Sequence, residues 1–106
     1  MIVYICSPYR GDTKRNKAYA RKLTRDCLLD GDIPITPHLY ITEVLDDEKP
    51  NERILGTDIG IELLTVCNKL LVGTRYGISE GMFKEIEMAR KWGVRIEYKE
   101  DCYENL

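Results

Sequence analysis

A single α/β domain with a mainly parallel sheet of four to five strands is predicted by two features of this 106-residue chain. Short apolar runs alternate with stretches of helical period, which is the pattern of strand–helix units joined by right-handed crossovers. The first of those runs, Ile2-Val3-Tyr4-Ile5-Cys6, is apolar throughout, as expected of a strand covered on both faces.

Each element follows in order. The first strand ends at the turn Ser7-Pro8-Tyr9-Arg10-Gly11. Asp12 or Thr13 can cap the next helix, whose stripe is Tyr19, Leu23 and Cys27 with Ala20 and Leu28 beside it. Asp30-Gly31-Asp32 stops that helix. Ile33-Pro34-Ile35-Thr36 reads as a short second strand, and its proline suggests an end position. Pro37-His38-Leu39-Tyr40 begins a loop at its C-terminal end, and Leu45 to Pro50 reads as an exposed, mobile loop. Glu52 to Val66 reads as a helix with Ile54, Ile61 and Leu64 or Thr65 on one side. Gly56 and Gly60 cost this helix about 1 kcal/mol each against alanine, so their small size suggests a close helix contact, one option being another subunit. Asn68 to Gly73 is the third strand, Ile78 to Trp92 the last helix and Val94 to Tyr98 the final strand. Residues 1–98 form the domain and 99–106 a loose tail.

Composition bounds the function. Hydrophobic residues make up 43% and charged residues 32%, enough apolar material for a core and too much for disorder. A net charge of −2 with interspersed signs argues against a nucleic-acid polymer as partner. No apolar run reaches the length of a membrane span, and no basic leader precedes the first strand. Cys6, Cys27, Cys67 and Cys102 form no C-x-x-C pair, and His38 is the single histidine, so no metal site is expected. The expected setting is reduced and cytoplasmic.

Parallel sheets bind ligands beyond the carboxyl ends of their strands. Three loops converge there: Ser7 to Asp12, Thr36 to Tyr40, and Gly73 to Gly81. Within the last helix Met82, Ile86, Met88, Ala89 and Trp92 fall on one arc, and Glu85 sits inside it. A carboxylate aimed at the apolar side is costly unless it has a partner or a task. Tyr4, inside the first strand, either partners Glu85 through its phenol or is a plain core residue. Ser79 can cap the helix, the free N–H groups there attract anions, and Gly81 allows close backbone approach. Arg10 either clamps a phosphate or carboxylate or pairs with Asp12. His38 is a ligand contact or a structural residue. Asp58 shares a helical face with Ile54 and Ile61, so it is expected to point inward as a second site carboxylate or a packing residue.

Four segments resemble the nucleoside 2-deoxyribosyltransferase superfamily, closest to its short branch: Tyr4 to Gly11, Pro37 to Leu39, Cys67 to Val72 and Ser79 to Ala89. The resemblance implies a three-layer Rossmann-like or flavodoxin-like single domain. It implies that Glu85 attacks C1′ of the sugar, that the base departs, and that water or a second base resolves a glycosyl-ester intermediate. Tyr4 would orient the nucleophile and Asp58 match a family carboxylate after a small shift of register. Ser7, Arg10, Gly11, His38, Ser79, Gly81 and Met82 would contact the substrate, with Arg10 and Ser79 on a 5′-phosphate and His38 near the base. Transferases of this superfamily carry an aspartate where Ser79 stands, which favours a 5′-monophosphate over a free nucleoside. Asn68 replaces a usual aspartate, and Pro8 stands where the N-glycosidases have a phosphate-binding serine. No metal or organic cofactor is implied, and a homodimer or higher homo-oligomer is expected.

Three readings compete. The first is an enzyme cleaving the N-glycosidic bond of a (deoxy)nucleoside 5′-monophosphate. The second is a nucleotide-binding sensor or sequestering protein without turnover. The third is a structural domain in which Glu85 is salt-bridged to Arg10 or Arg53.

Overall fold

The computed structural model describes residues 1–99. The elements are β1 (Ile2–Cys6), α1 (Thr13–Leu29), β2 (Ile33–Ile35), a 3-10 turn (Pro37–Leu39), α2 (Ile41–Val44), α3 (Pro50–Leu64), β3 (Lys69–Gly73), α4 (Glu80–Lys91) and β4 (Arg95–Lys99). The four strands form one all-parallel sheet in the order β2-β1-β3-β4. That is the flavodoxin-like order, in which the connection direction reverses at the pair β1/β3.

The alternation of β1 assigns the two faces of the sheet. Val3 and Ile5 pack with Tyr19, Leu23 and Cys27 of α1, whereas Tyr4 and Cys6 pack with Leu64 of α3 and with Met82, Ile86 and Ala89 of α4. The result is three layers, with α1 on one face and α3 and α4 on the other. Pro34 lies in the edge strand β2, where its missing N–H costs no central ladder bond.

Local chemistry sets the element ends. Asp12 caps α1 by accepting from the Arg15 N–H at 3.1 Å. The buried Asn16 donates to the carbonyls of Tyr9 and Arg10 at 3.0 and 3.1 Å and so braces the loop after β1. Asn68 accepts from the Ile2 N–H at 2.6 Å and stitches the starts of β1 and β3, at the end of the sheet opposite the loops that follow β1 and β3.

Several expectations shift. Pro50 opens α3 at its first position, where a missing N–H costs nothing, so the helix begins two residues before Glu52. Residues 41–44, without clear period in the sequence, form α2. The α2–α3 connection is exposed at Asp46, Glu48 and Lys49, but it is tied by its own bonds from the Asp46 N–H to Glu52 and from the Glu48 N–H to Asp46, both at 3.0 Å. Leu28 is 58% exposed and lies off the α1 stripe. Lys99 belongs to β4, pairing with Gly73, so the domain extends one residue past 98; the rest of the expected tail, with Cys102, lies outside the described residues.

Gly73 ends β3 where a side chain has no room. A Cβ there would stand 2.6 Å from Leu23 Cδ1 and 2.7 Å from the Tyr19 hydroxyl. Gly73→Ala should therefore destabilise the fold by about 1–3 kcal/mol in urea unfolding, and a loss below about 0.5 kcal/mol would contradict this packing.

Candidate functional site

The reversal at β1/β3 opens a cavity of about 640 Å³ at the carboxyl ends of the strands, within the size range of small-molecule sites. Its floor is a carboxylate held by a phenol. Strand parity turns Tyr4 toward the α3/α4 layer, and its hydroxyl donates to Glu85 Oε2. Gly60 of α3 makes this possible, because a Cβ there would lie 3.1 Å from the Tyr4 hydroxyl. Gly56 likewise lets α3 approach Ile41 and Leu45. Both glycines thus serve contacts within the chain.

Glu85 lies one turn from Met82 on one side and one turn from Ala89 on the other, on the inward side of α4, half-buried and facing the cavity. Loss of water around it pushes its pKa up to about 7, against the hydrogen bond from Tyr4 and the nearby Cys6 thiol, which favour the carboxylate. Tyr4 is shifted far upward by burial and then by the Glu85 charge, so it stays a proton donor to the carboxylate. The Cys6 thiol is raised by the same two causes and remains protonated.

The three convergent loops meet as the sequence predicts. Ser7, Arg10, Gly11, His38, Ser79, Gly81 and Met82 all line the cavity together with Tyr4 and Glu85. Ser7 is fully buried, and its hydroxyl has no hydrogen-bond partner, so one polar atom at the wall is left to be satisfied. Gly11 carries φ +96°, a conformation that by itself requires glycine. His38 stacks on Tyr9 with ring centroids 5.3 Å apart, and burial lowers its pKa below the usual value, keeping the ring neutral at pH 7. Ser79 caps α4 by accepting from the Met82 N–H at 3.3 Å, while Met82 is a buried core residue whose sulfur accepts from the Ser79 N–H. A Cβ on Gly81 would meet nothing within 4 Å, so no protein packing demands glycine at this helix start.

Two expectations are corrected. Asp58 is exposed and does not line the cavity. The inward side of α3 is set by Gly56, Gly60 and Leu64, and Asp58 lies about 200° around the helix from Gly60. Ile54, expected on the same inner face, is 61% exposed. Arg10 pairs with Asp47 across the cavity mouth (Nε to Oδ2, 3.1 Å), not with Asp12, which caps α1. Among the described residues no ion pair joins Glu85 to Arg10 or Arg53.

Sequence reasoning missed the wall made by α2, the α2–α3 connection and the first half of α3, which brings Thr42, Leu45, Asp47, Glu52 and Arg53 to the cavity. Arg53 is half-buried there and has no ion-pair partner among the described residues. In the sequence Arg53 stands out only as an alternative partner for Glu85, although the spacing Arg53, Gly56, Gly60 marks the inner stripe. Among the described residues no cluster of metal-ligating side chains occurs, and no helix is long and apolar enough to cross a membrane.

The raised carboxyl has a thermodynamic consequence. Folding lifts Glu85 from the ordinary 4.5 to about 7, so the folded state is favoured most while the group is protonated, below about pH 4.5, and loses that advantage as pH climbs through 7. Relative to Glu85→Gln, the wild type should lose up to about 3 kcal/mol between pH 4.5 and 8.5. Denaturant melts of both proteins across that range check this; a constant difference contradicts a buried, titrating Glu85.

Solved structures show where this fold recurs. A 2-deoxyribosyltransferase from the psychrotolerant bacterium Bacillus psychrosaccharolyticus superposes with a TM-score of 0.68 at 13% identity, covering 92% of this chain and 71% of that one. A 2-deoxyribosyltransferase from Leishmania mexicana gives 0.66 at 14% identity, again over 92% of this chain, which spans 62% of the Leishmania chain. No curated protein sequence matches the chain. A family model, "Domain of unknown function (DUF7768)", matches residues 1–99, and the chain belongs to that family.

Proposed function

We propose that the protein is an N-glycosidase or deoxyribosyltransferase that cleaves the N-glycosidic bond of a (deoxy)nucleoside 5′-monophosphate. One observation carries the reading: a half-buried carboxylate, raised to about 7 and held by a buried tyrosine, at the floor of a nucleotide-sized cavity. The shared fold of two 2-deoxyribosyltransferases supports it.

Tyr4 occupies one carboxylate oxygen, and the other attacks C1′ as the C1′–N bond breaks. The bonding pair leaves with the base nitrogen, which takes a proton from solvent. Water or the ring nitrogen of a second base, either one giving its proton to solvent, then attacks C1′ of the ester, and the electron pair of the C1′–O bond returns to Glu85. Ser7, Arg10, Gly11, Ser79 and Gly81 cradle the 5′-phosphate: Ser7 offers an unpartnered hydroxyl, Gly81 an unobstructed backbone, and α4 its N-terminus. His38, neutral and stacked on Tyr9, borders the base. Met82 shapes the wall. Val44 on α2 and Ile54 and Leu55 on α3 are 82%, 61% and 49% exposed, apolar surface that fits self-association into a homodimer or larger assembly.

The exposed position of Asp58 favours a second reading. Nothing from that residue reaches Glu85, as a two-carboxylate mechanism would use it, so a nucleotide-binding protein without turnover is the alternative.

Incubation with a panel of nucleoside 5′-monophosphates, with free base as readout, decides between them. Base should be released, and Glu85→Gln should slow release by about three orders of magnitude or more. Calorimetric binding without any release supports the alternative. The rate of the wild type should rise with pH through about 7, as Glu85 ionises. Tyr4→Phe should cut kcat about ten- to hundredfold and move that rise to higher pH, because the tyrosine hydrogen bond favours the charged carboxylate.

A further inference from the structure

We infer that Asp47 restrains anion binding in the cavity by occupying Arg10 in the free protein, so that an incoming anion must displace it to reach the guanidinium. The inference rests on the reading of Arg10 as an anion contact given above.

The two residues reach each other from opposite walls. Arg10 comes from the loop between β1 and α1, Asp47 from the connection between α2 and α3, and both line the mouth of the cavity. Asp47 is the sheltered partner, its side chain 26% exposed against 64% for Arg10, although its neighbours Asp46 and Glu48 face solvent. The connection does not need the Asp47 carboxylate for its own shape. Its local bonds run through Asp46, which accepts from the Glu48 N–H, and through Glu52, which accepts from the Asp46 N–H. The nearby lysines are committed elsewhere, Lys17 to Glu43 and Lys49 to Glu52. Asp47 is thus left to project across the mouth and hold the guanidinium.

A carboxylate held there stands where an incoming anion would bind. A singly charged carboxylate ligand exchanges like for like and gains little. A phosphate dianion brings a second charge and more acceptor oxygens in a geometry that suits a guanidinium fork. Asp47 therefore lowers the affinity for any anion that uses Arg10, by the cost of breaking the bridge.

The test uses the full chain, with inorganic phosphate and acetate as probes at pH 8, and reads dissociation constants by calorimetry or chemical-shift titration. Asp47→Asn should bind phosphate roughly three- to tenfold tighter than wild type, and acetate tighter by a similar factor. Asp47→Glu should stay near wild type. In an Arg10→Gln background the gain from Asp47→Asn should vanish, since the effect acts through the guanidinium. Unchanged or weaker phosphate binding in Asp47→Asn overturns the inference, as does a gain that persists without Arg10. If neither wild type nor Asp47→Asn binds phosphate, the Arg10 contact and this inference fall together. If the phosphate results hold but no nucleotide releases base, the catalytic reading fails and the role of Asp47 stands.

Discussion

The hydrogen bond between Tyr4 and Glu85 ties the sheet to the chemistry. A carboxylate on the inner side of α4 is expensive in an apolar layer, and a phenol on β1 has the same difficulty. Each satisfies the other. The geometry depends on strand parity at β1, on the packing of α4 over β3 and on the absence of a side chain at Gly60. Because the pair spans 81 residues of sequence, it forms only once β1, α3 and α4 are assembled.

Burial acts on the pair in opposite senses of use. It moves Glu85 into the range where protonation responds to physiological pH, and it moves Tyr4 far out of that range. One partner is therefore a switchable acid and the other a permanent donor. The neutral His38 and the paired Arg10 complete a cavity whose charged groups sit at its mouth and whose most perturbed group sits at its floor.

Much of this was legible in the chain. The continuous apolar run of β1, the stripe of α1 and the arc of α4 each announce one buried face, and those elements fall where the pattern predicts. The three strand-end loops converge because parallel topology obliges them to. The α3 segment was less readable for a physical reason. Ile54, Leu55, Ile59, Ile61, Leu63 and Leu64 surround the helix, so apolar periodicity does not choose a side. Close approach at Gly56 and Gly60 chooses it instead, and that turns Asp58 outward and Arg53 inward. The Arg10–Asp47 bridge was equally hidden, since the polar run Asp46-Asp47-Glu48-Lys49 gives no sign that one carboxylate alone faces inward.

The roof of the chamber is built differently from its base. Thr42, Leu45 and Asp47 belong to the excursion between β2 and α3, which adds no strand to the sheet, whereas Tyr4 and Glu85 are anchored in the layers that hold the domain together. Lengthening or rewriting residues 41–49 would therefore resize the compartment and alter its lining while sparing the Tyr4–Glu85 pair, making that stretch the natural place for redesign.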